Sequence, residues 1–364
     1  MSTAHPLSAE AERGLLQAAI GGDGDAYGRL VAGRRGELHA HCYRMLGSVQ
    51  DAEDALQEAL LRAWRGLRGF DGRSSLRTWL YRIATNACLD VLARRRLRRL
   101  PVERAPGAAA GAPPAAPVAE TAFLEPYPDE ALGVPDGLAG PEARYEQREA
   151  VELAFVAALQ HLPARGRAAL ILRDVLGFSA KETAAALGTT VPAANSALQR
   201  ARASVEDRLP EQSQQAALRS LGDAGARRLV TAYTGALQRG DVDGMVQLLT
   251  ADATWSMPPI PTWYTGDALA RFLAEHGMSV RWRHLPARAS GHLAVGCYAW
   301  DPTRGAFVAQ VLDVITLRGD RIAAVDGFAT TEVFDRLAGP GPPLVASSIF
   351  ARFGLPETLP GDAR

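Results

Sequence analysis

Cysteine is nearly absent from this 364-residue chain: Cys42, Cys88 and Cys297 are its only three, far apart and without a C-x-x-C pair. That excludes a disulfide framework and a zinc site, so no metal or cofactor is expected, and it suits a reducing cytoplasm. No apolar run approaches the ~18 residues that a membrane span needs. Met1 to Glu10 lacks the basic-then-apolar pattern of a secretory signal. A soluble cytoplasmic protein with no membrane contact is the expectation. Lysine is confined to Lys181, a bias toward arginine and not a mechanism. Net charge is also missing, with 40 basic residues against 40 acidic ones.

That neutrality averages over an uneven distribution. From Arg62 to Arg99 eleven arginines face two acids, Asp71 and Asp90, whereas Asp51, Glu53, Asp54 and Glu58 crowd the segment just before. From Pro210 onward 14 arginines are offset by 15 acids. The N-terminal half is therefore the part suited to nucleic acid or another polyanion.

Apolar residues recur at helical spacing from Ala26 to Leu97, which predicts an all-helical domain of three or four helices. Residues 101–141 hold nine Pro, five Gly and eleven Ala, a composition that cannot assemble a branched apolar core, and they read as a flexible linker. Its patch Phe123, Leu124, Pro126, Tyr127, Pro128 is apolar enough to dock onto a folded neighbour. A second helical unit follows. Within it Ser179-Ala-Lys-Glu182 has capping-box spacing, Gly188 ends a short helix, and Thr190 with Pro192 starts the next. Val191, Ala194, Leu198, Ala201 and Val205 are expected to face inward. After about Ala226, helical spacing gives way to β-like runs at Thr254–Met257, His292–Trp300, Phe307–Leu317 and Arg321–Phe328, which means α+β.

The helix-turn-helix can lay its second helix in a major groove, where Asn195, Gln199 and Arg202 make bidentate contacts to base edges; an ordinary αα-hairpin with a solvated face has the same spacing. The arginines with interleaved Trp64, Phe70, Trp79 and Tyr81 suit phosphates and splayed bases, although a helical stripe already accounts for Trp64 and Trp79 as core. The acidic cluster begins a helix and is stabilised by its dipole; a protein-docking face remains open. In the α+β unit Trp255, Met257, Trp263, Tyr264, Trp300 and Asp326 form a candidate ligand pocket, with ordinary core packing as the alternative. Alternation places Asp326 with Ile322, Ala324 and Phe328, which predicts a buried carboxylate of raised pKa.

Three motifs in order, Asp51-Ala-Glu-Asp-Ala-Leu-Gln-Glu58, the run Phe70 to Asp90 followed by arginines, and Leu162-Pro163 leading into the helix-turn-helix, resemble the extracytoplasmic-function (ECF) sigma factors of bacterial RNA polymerase, in the subgroup carrying a C-terminal SnoaL-like domain. The resemblance implies two all-α domains, sigma2-like (24–100) and sigma4-like (145–210), joined by a flexible linker (101–144). An α+β SnoaL-like cone (224–338) and a tail (339–364) would follow.

It further implies core RNA polymerase as partner, through its β′ clamp and β flap, with Asp51, Glu53, Asp54, Gln57 and Glu58 matching the polymerase-binding surface. Promoter DNA, melted and double-stranded, would be the other partner. Phe70, Asp71, Arg73, Ser74, Ser75, Arg77, Thr78, Trp79, Arg82, Asn86, Arg94, Arg95 and Arg96 match the −10 surface, and Thr189, Thr190, Pro192, Asn195, Ser196, Gln199, Arg200 and Arg202 match the −35 helix. Many family members carry Lys or Arg near positions 195 and 197, where this chain has Asn195 and Ala197. A non-enzymatic initiation factor, modulated in cis by its C-terminal domain and by a small ligand of that domain, is the expectation. A ligand-sensing duplex-DNA regulator and a SnoaL-type enzyme carrying DNA-binding domains are the alternatives.

Overall fold

The computed structural model describes residues 8–94, 98–103, 106–116, 118, 123–132, 148–278, 280–330, 333 and 349–361. The chain divides into two compact units that interleave in sequence. The first is Met1–Leu97 with Glu130–Leu209, and the second is Arg98–Asp129 with Pro210–Arg364.

The first unit is helical: α1 (Ala9–Ile20), α2 (Gly24–Ala32), α3 (Arg35–Leu46), α4 (Val49–Gly66), α5 (Leu76–Leu92), α6 (Leu153–Gln160), α7 (Ala164–Leu170), α8 (Ala180–Ala186) and α9 (Val191–Glu206). Side-chain oxygens of Ser8, Asp23, Ser48, Ser75, Ser179 and Thr190 cap six of these helices. Helix α4 buries Ala52, Ala55, Leu56, Ala59 and Ala63 along one stripe, and its small residues let α3 and α5 approach closely. Arg167 of α7 is fully buried and donates to the Met45 carbonyl at the end of α3. It also donates to Gln160 Oε1 at 2.7 Å and to the Gln160 and Leu162 carbonyls at 3.0 and 3.3 Å. A charge taken out of water needs such partners, and these bind the N-terminal helices to the C-terminal ones within the unit.

The second unit is a mixed sheet with helices packed against one face and the tail helix against the other. Helix α10 (Gln214–Arg239) breaks at Gly222, where φ is 67°, and α11 is Val242–Leu248. Then come β1 (Leu249–Met257), β2 (Ile260–Thr265), α12 (Gly266–Phe272), β3 (Trp282–Ala289), β4 (His292–Asp301), β5 (Ala306–Arg318) and β6 (Arg321–Ala329). Helix α13 (Ile349–Arg352) and strand β7 (Thr358–Pro360) lie in the tail. The sheet order is β2-β1-β6-β5-β4-β3, with β7 on β5 and β1 parallel to β6. This is the expected α+β architecture, with β2 and β3 as edge strands added to the runs legible in the sequence.

The linker differs from a flexible spacer, because its described residues pack against the sheet. Phe123, Leu124 and Tyr127 are buried, and backbone bonds run from Ala108 N to Trp263 O (2.9 Å) and from Val118 N to Pro259 O (3.1 Å). Pro and Gly limit internal secondary structure to the short 3-10 turns Pro101–Glu103 and Asp129–Leu132, and the few large apolar side chains dock the segment. Among the described residues no helix is long and apolar enough to cross a membrane. The Gly-Pro-Gly-Pro-Pro opening of the tail lies outside the described residues.

Candidate nucleic-acid interface and C-terminal carboxylates

On α4 the acidic residues do not share one environment. Asp51 is buried in the first turn, its amide donating to the Ser48 hydroxyl, whereas Asp54 and Gln57 are exposed. Glu53 pairs with Arg35 and accepts from Gln57 at 3.1 Å. Glu58 and Asp90 both bind Arg62 at 2.7 Å, and their hydrogen bonds hold that guanidinium pKa up. A groove of about 400 Å³ between α4 and α5 is lined by Asp54, Glu58, Arg62, Asp90 and Arg94. The exposed Leu61 lies on the same helix as these carboxylates, a mixture suited to protein docking.

The loop before α5 presents Phe70, half-buried and tilted onto Trp79 with ring centroids 5.2 Å apart. Asp71 accepts from the Arg73 amide at 3.1 Å, the main reason its pKa is depressed, and pairs with the Arg73 side chain at 2.6 Å. Ser74 is half-buried, and Ser75 caps α5. Trp79 is core, as its stripe predicts. Arg82 and Asn86 are exposed one turn apart on α5, and Arg94 is exposed just past its C-terminus. Arg77 and Thr78 are engaged by the helix-turn-helix. The Arg77 guanidinium lies 4.8 Å from the Phe178 ring and 5.1 Å from Tyr81, and the Thr78 hydroxyl donates to Glu182 at 3.0 Å. Arg95 and Arg96 lie outside the described residues.

The Ser179–Glu182 capping box forms in full, with the Ser179 amide and hydroxyl donating to Glu182 at 2.9 and 2.7 Å. These bonds, chiefly the one from the Ser179 amide, hold the Glu182 carboxyl below its usual range. Gly188 takes a left-handed φ of 59° in the turn. On α9, Thr190, Pro192, Asn195, Ser196, Gln199 and Arg200 are exposed and Thr189 is half-buried. Arg202, also exposed, is bound by Asp174 through two bonds of 2.9 and 2.6 Å. Val191 corrects the inward reading: as the first helical residue it is solvent-facing.

In the C-terminal unit the six candidate pocket residues separate. Trp255, Met257 and Tyr264 belong to the inner core, where Trp255 stacks on Tyr233 and Tyr264 on Phe272. Trp263, next to Tyr264 on β2, packs against Gly107 of the linker. Trp300 lies on β4 beyond a bulge at Gln310 of β5, beneath Arg281. Asp326 is buried and accepts from the Ser256 hydroxyl at 2.6 Å; burial pushes its pKa to about 6.

The sequence pattern alone assigned no role to Asp313. The structure gives it Tyr233, donating at 2.8 Å, and Cys297 at 3.1 Å, and burial raises its pKa to about 6. Asp313 faces Gly327 in the ladder and Asp326 faces Val314, so the two carboxyls occupy opposite faces of the sheet. A charged residue inside the otherwise apolar run Val311–Ile315 was the signal for Asp313. Nothing in the sequence pointed to Tyr233 as its partner.

Three family models match the chain: Sigma-70 region 2 over residues 30–98, Sigma-70 region 4 over 152–205, and a SnoaL-like domain over 230–325. The ECF RNA polymerase sigma factor SigG of Mycobacterium tuberculosis is 40% identical over 335 residues, covering 89% of this chain and 82% of that protein. The crystal structure of the M. tuberculosis extracytoplasmic function sigma factor SigJ covers 84% of this chain and 97% of its own, with TM-score 0.52 and 22% identity, a likeness of fold. The outright exclusion of an enzyme is corrected by the C-terminal domain. That domain is similar to the solved epoxide hydrolase/cyclase-like enzyme SalBIII, at 23% identity and TM-score 0.26 over 30% of this chain and 94% of that one.

Proposed function

The chain belongs to the ECF sigma factor family of RNA polymerase, and from that premise we propose which of its surfaces engage polymerase, promoter and regulator. As a member it binds RNA polymerase and recognises promoter DNA. The exposed Asp54 and Gln57, with Glu53, Glu58 and Leu61 beside them, are the surface for the β′ clamp. Buried Asp51 serves as first-turn support for that helix. Phe70 and the outward Arg73, Arg82, Asn86 and Arg94 take the melted −10 strand, with guanidinium groups on phosphates and the aromatic ring against an unstacked base. Asn195, Ser196, Gln199 and Arg200 read the −35 major groove, and the helix-turn-helix unit also meets the β flap. Arg202 joins them once it leaves Asp174.

The observation that carries this reading is that α9 turns Asn195, Ser196, Gln199 and Arg200 to solvent immediately after a fully formed capping box and turn. Amide and guanidinium groups on one helix face are what base edges in a major groove accept, at about 1–3 kcal/mol per bidentate contact. The C-terminal domain modulates these activities in cis. Its buried Asp313–Tyr233 pair provides polar anchors for a small ligand of that domain.

The test is binding of the full-length protein to core RNA polymerase beside an Asp54→Ala/Gln57→Ala/Glu58→Ala variant. Tight binding lost in the variant supports the assignment of the α4 face. Undiminished binding places the clamp contact elsewhere.

A further inference from the structure

On the face of the sheet that α10 covers, a row of polar side chains runs across β3, β4 and β5. Cys297 of β4 donates its thiol hydrogen to Asp313 Oδ2 of β5 at 3.1 Å, and the same oxygen accepts from the Tyr233 hydroxyl of α10 at 2.8 Å. His284 of β3 is paired directly with Cys297 in the ladder, which sets the imidazole beside the thiol on that face. Further along α10, the Gln238 amide nitrogen donates to His284 Nδ1 at 3.3 Å. Gln238 is exposed, His284 half-buried and Cys297 buried, so the row runs from solvent to the thiol.

Two hydrogen-bonding atoms of this face, His284 Nε2 and the Tyr264 hydroxyl, are buried without a partner among the described residues. Tyr264 is 2% exposed and pairs across the ladder with Trp255, which stacks on Tyr233. A polar atom taken out of water with nothing to bind is destabilising, and a ligand atom that meets it removes that cost. The Gln238 bond leaves the ring proton of His284 on Nε2, and burial, which lowers its pKa to about 4, keeps the ring neutral. Burial also raises Asp313 to about 6, so at neutral pH it is a carboxylate able to accept a proton. Burial first, and the Asp313 charge second, hold Cys297 as a thiol. A thiol in that state reacts only with a base at hand, and Asp313 is already hydrogen-bonded to it.

We propose that Cys297 is a covalent capture site for an uncharged α,β-unsaturated carbonyl compound, with Asp313 as its base and His284 Nε2–H as the donor to the carbonyl oxygen. This rests on the reading of the C-terminal domain as the holder of a small ligand, and names that ligand's chemical class. A soft nucleophile, a base on its proton and a donor placed for an oxygen are what conjugate addition needs. Val295, Val311 and Trp255 supply apolar surface on the same face, and the Asp313 carboxylate repels anions. The sulfur bonds the β-carbon while Asp313 takes the thiol proton, and the electrons of the carbon–carbon double bond move onto the carbonyl oxygen, where His284 donates to the enolate. The proton then passes from Asp313 to the α-carbon and leaves a thioether, with every atom of both reactants retained.

The test treats the full-length protein with trans-cinnamaldehyde, fixes adducts with borohydride and reads the labelling rate of each cysteine by peptide mass spectrometry. Cys42 and Cys88, fully buried in the helical unit, are references within the same molecule. Labelling at Cys297 is expected to outpace both by about tenfold or more, a preference that anionic iodoacetate does not show. Asp313→Asn, which keeps an acceptor for Tyr233, should slow it about a hundredfold, and His284→Phe by a similar factor. Equal labelling of the three cysteines, or none at Cys297, overturns the capture site. Labelling that neither substitution slows overturns the roles of Asp313 and His284. Transcription from a cognate promoter with core polymerase, beside Cys297→Ala treated alike, reports separately on cis modulation: labelled protein that transcribes as the untreated parent does overturns control through this ligand and leaves the capture chemistry standing.

Discussion

Replacing Asp326 by Asn isolates one buried titration. In the parent, burial is the main cause that lifts this carboxyl from 3.8 to about 6, Glu103 of the linker adds to the rise, and the Ser256 hydroxyl opposes it. The folded state therefore holds its proton more tightly than the unfolded chain. Stability from this group is complete below the unfolded pKa and is lost as pH rises through the folded one. Two pH units at about 1.4 kcal/mol each amount to ~3 kcal/mol. Asparagine keeps an acceptor for Ser256 and does not titrate. Urea unfolding followed by tryptophan fluorescence should thus show the stability gap between Asp326→Asn and the parent moving by about 3 kcal/mol in favour of the variant between roughly pH 4 and pH 7, then levelling. A gap that stays level across that range would refute the assignment of Asp326 as a neutral buried acid. Asp252 supplies the opposite sign: exposed and bound to Arg318, it has a depressed pKa, so its contribution is lost as pH falls.

Arg167→Met should destabilise the helical unit by about 3–5 kcal/mol, because the carbonyls of Met45, Gln160 and Leu162 lose a buried donor; far-ultraviolet circular dichroism in urea reads this directly. Gly327→Ala brings a methyl to 2.9 Å from Asp313 Oδ1 and 3.0 Å from Val311, and should cost about 1–3 kcal/mol in the same fluorescence assay, with no effect on the helical unit. Gln199→Ala and Arg200→Ala should each weaken binding to a −35 duplex by about 1–3 kcal/mol in anisotropy titrations, Gln199→Ala with relaxed base preference at one position.

Helices α8 and α9 were legible because each carries a local start signal, and the box at Ser179–Glu182 formed as its spacing predicted. Strands β4, β5 and β6 announced themselves by β-branched and aromatic runs. Strands β2 and β3 did not: Pro261 and Pro286 interrupt them, and proline is tolerated only at the sheet margins they occupy. The proposed DNA-facing residues were visible as types, but not the division that turns Arg82 and Asn86 outward and Arg77 and Thr78 onto Phe178 and Glu182. That division depends on a partner about 100 residues away. Likewise alternation foretold the burial of Asp326, while grouping it with Trp255 and Tyr264 ignored that its partner Ser256 alternates with Trp255 along β1.

The interleaving of the two units in the chain bears on synthesis. Residues 98–129 leave the ribosome before any of the strands that cover Phe123 and Tyr127, and Arg352, which binds Glu125, follows more than 200 residues later. At roughly 5–20 residues per second, that is a delay on the order of 10–40 s. The helical unit is complete at Leu209 well inside that interval, so the nascent protein passes through a stage in which all the helices of that unit are made and the linker running between them has no surface to rest on.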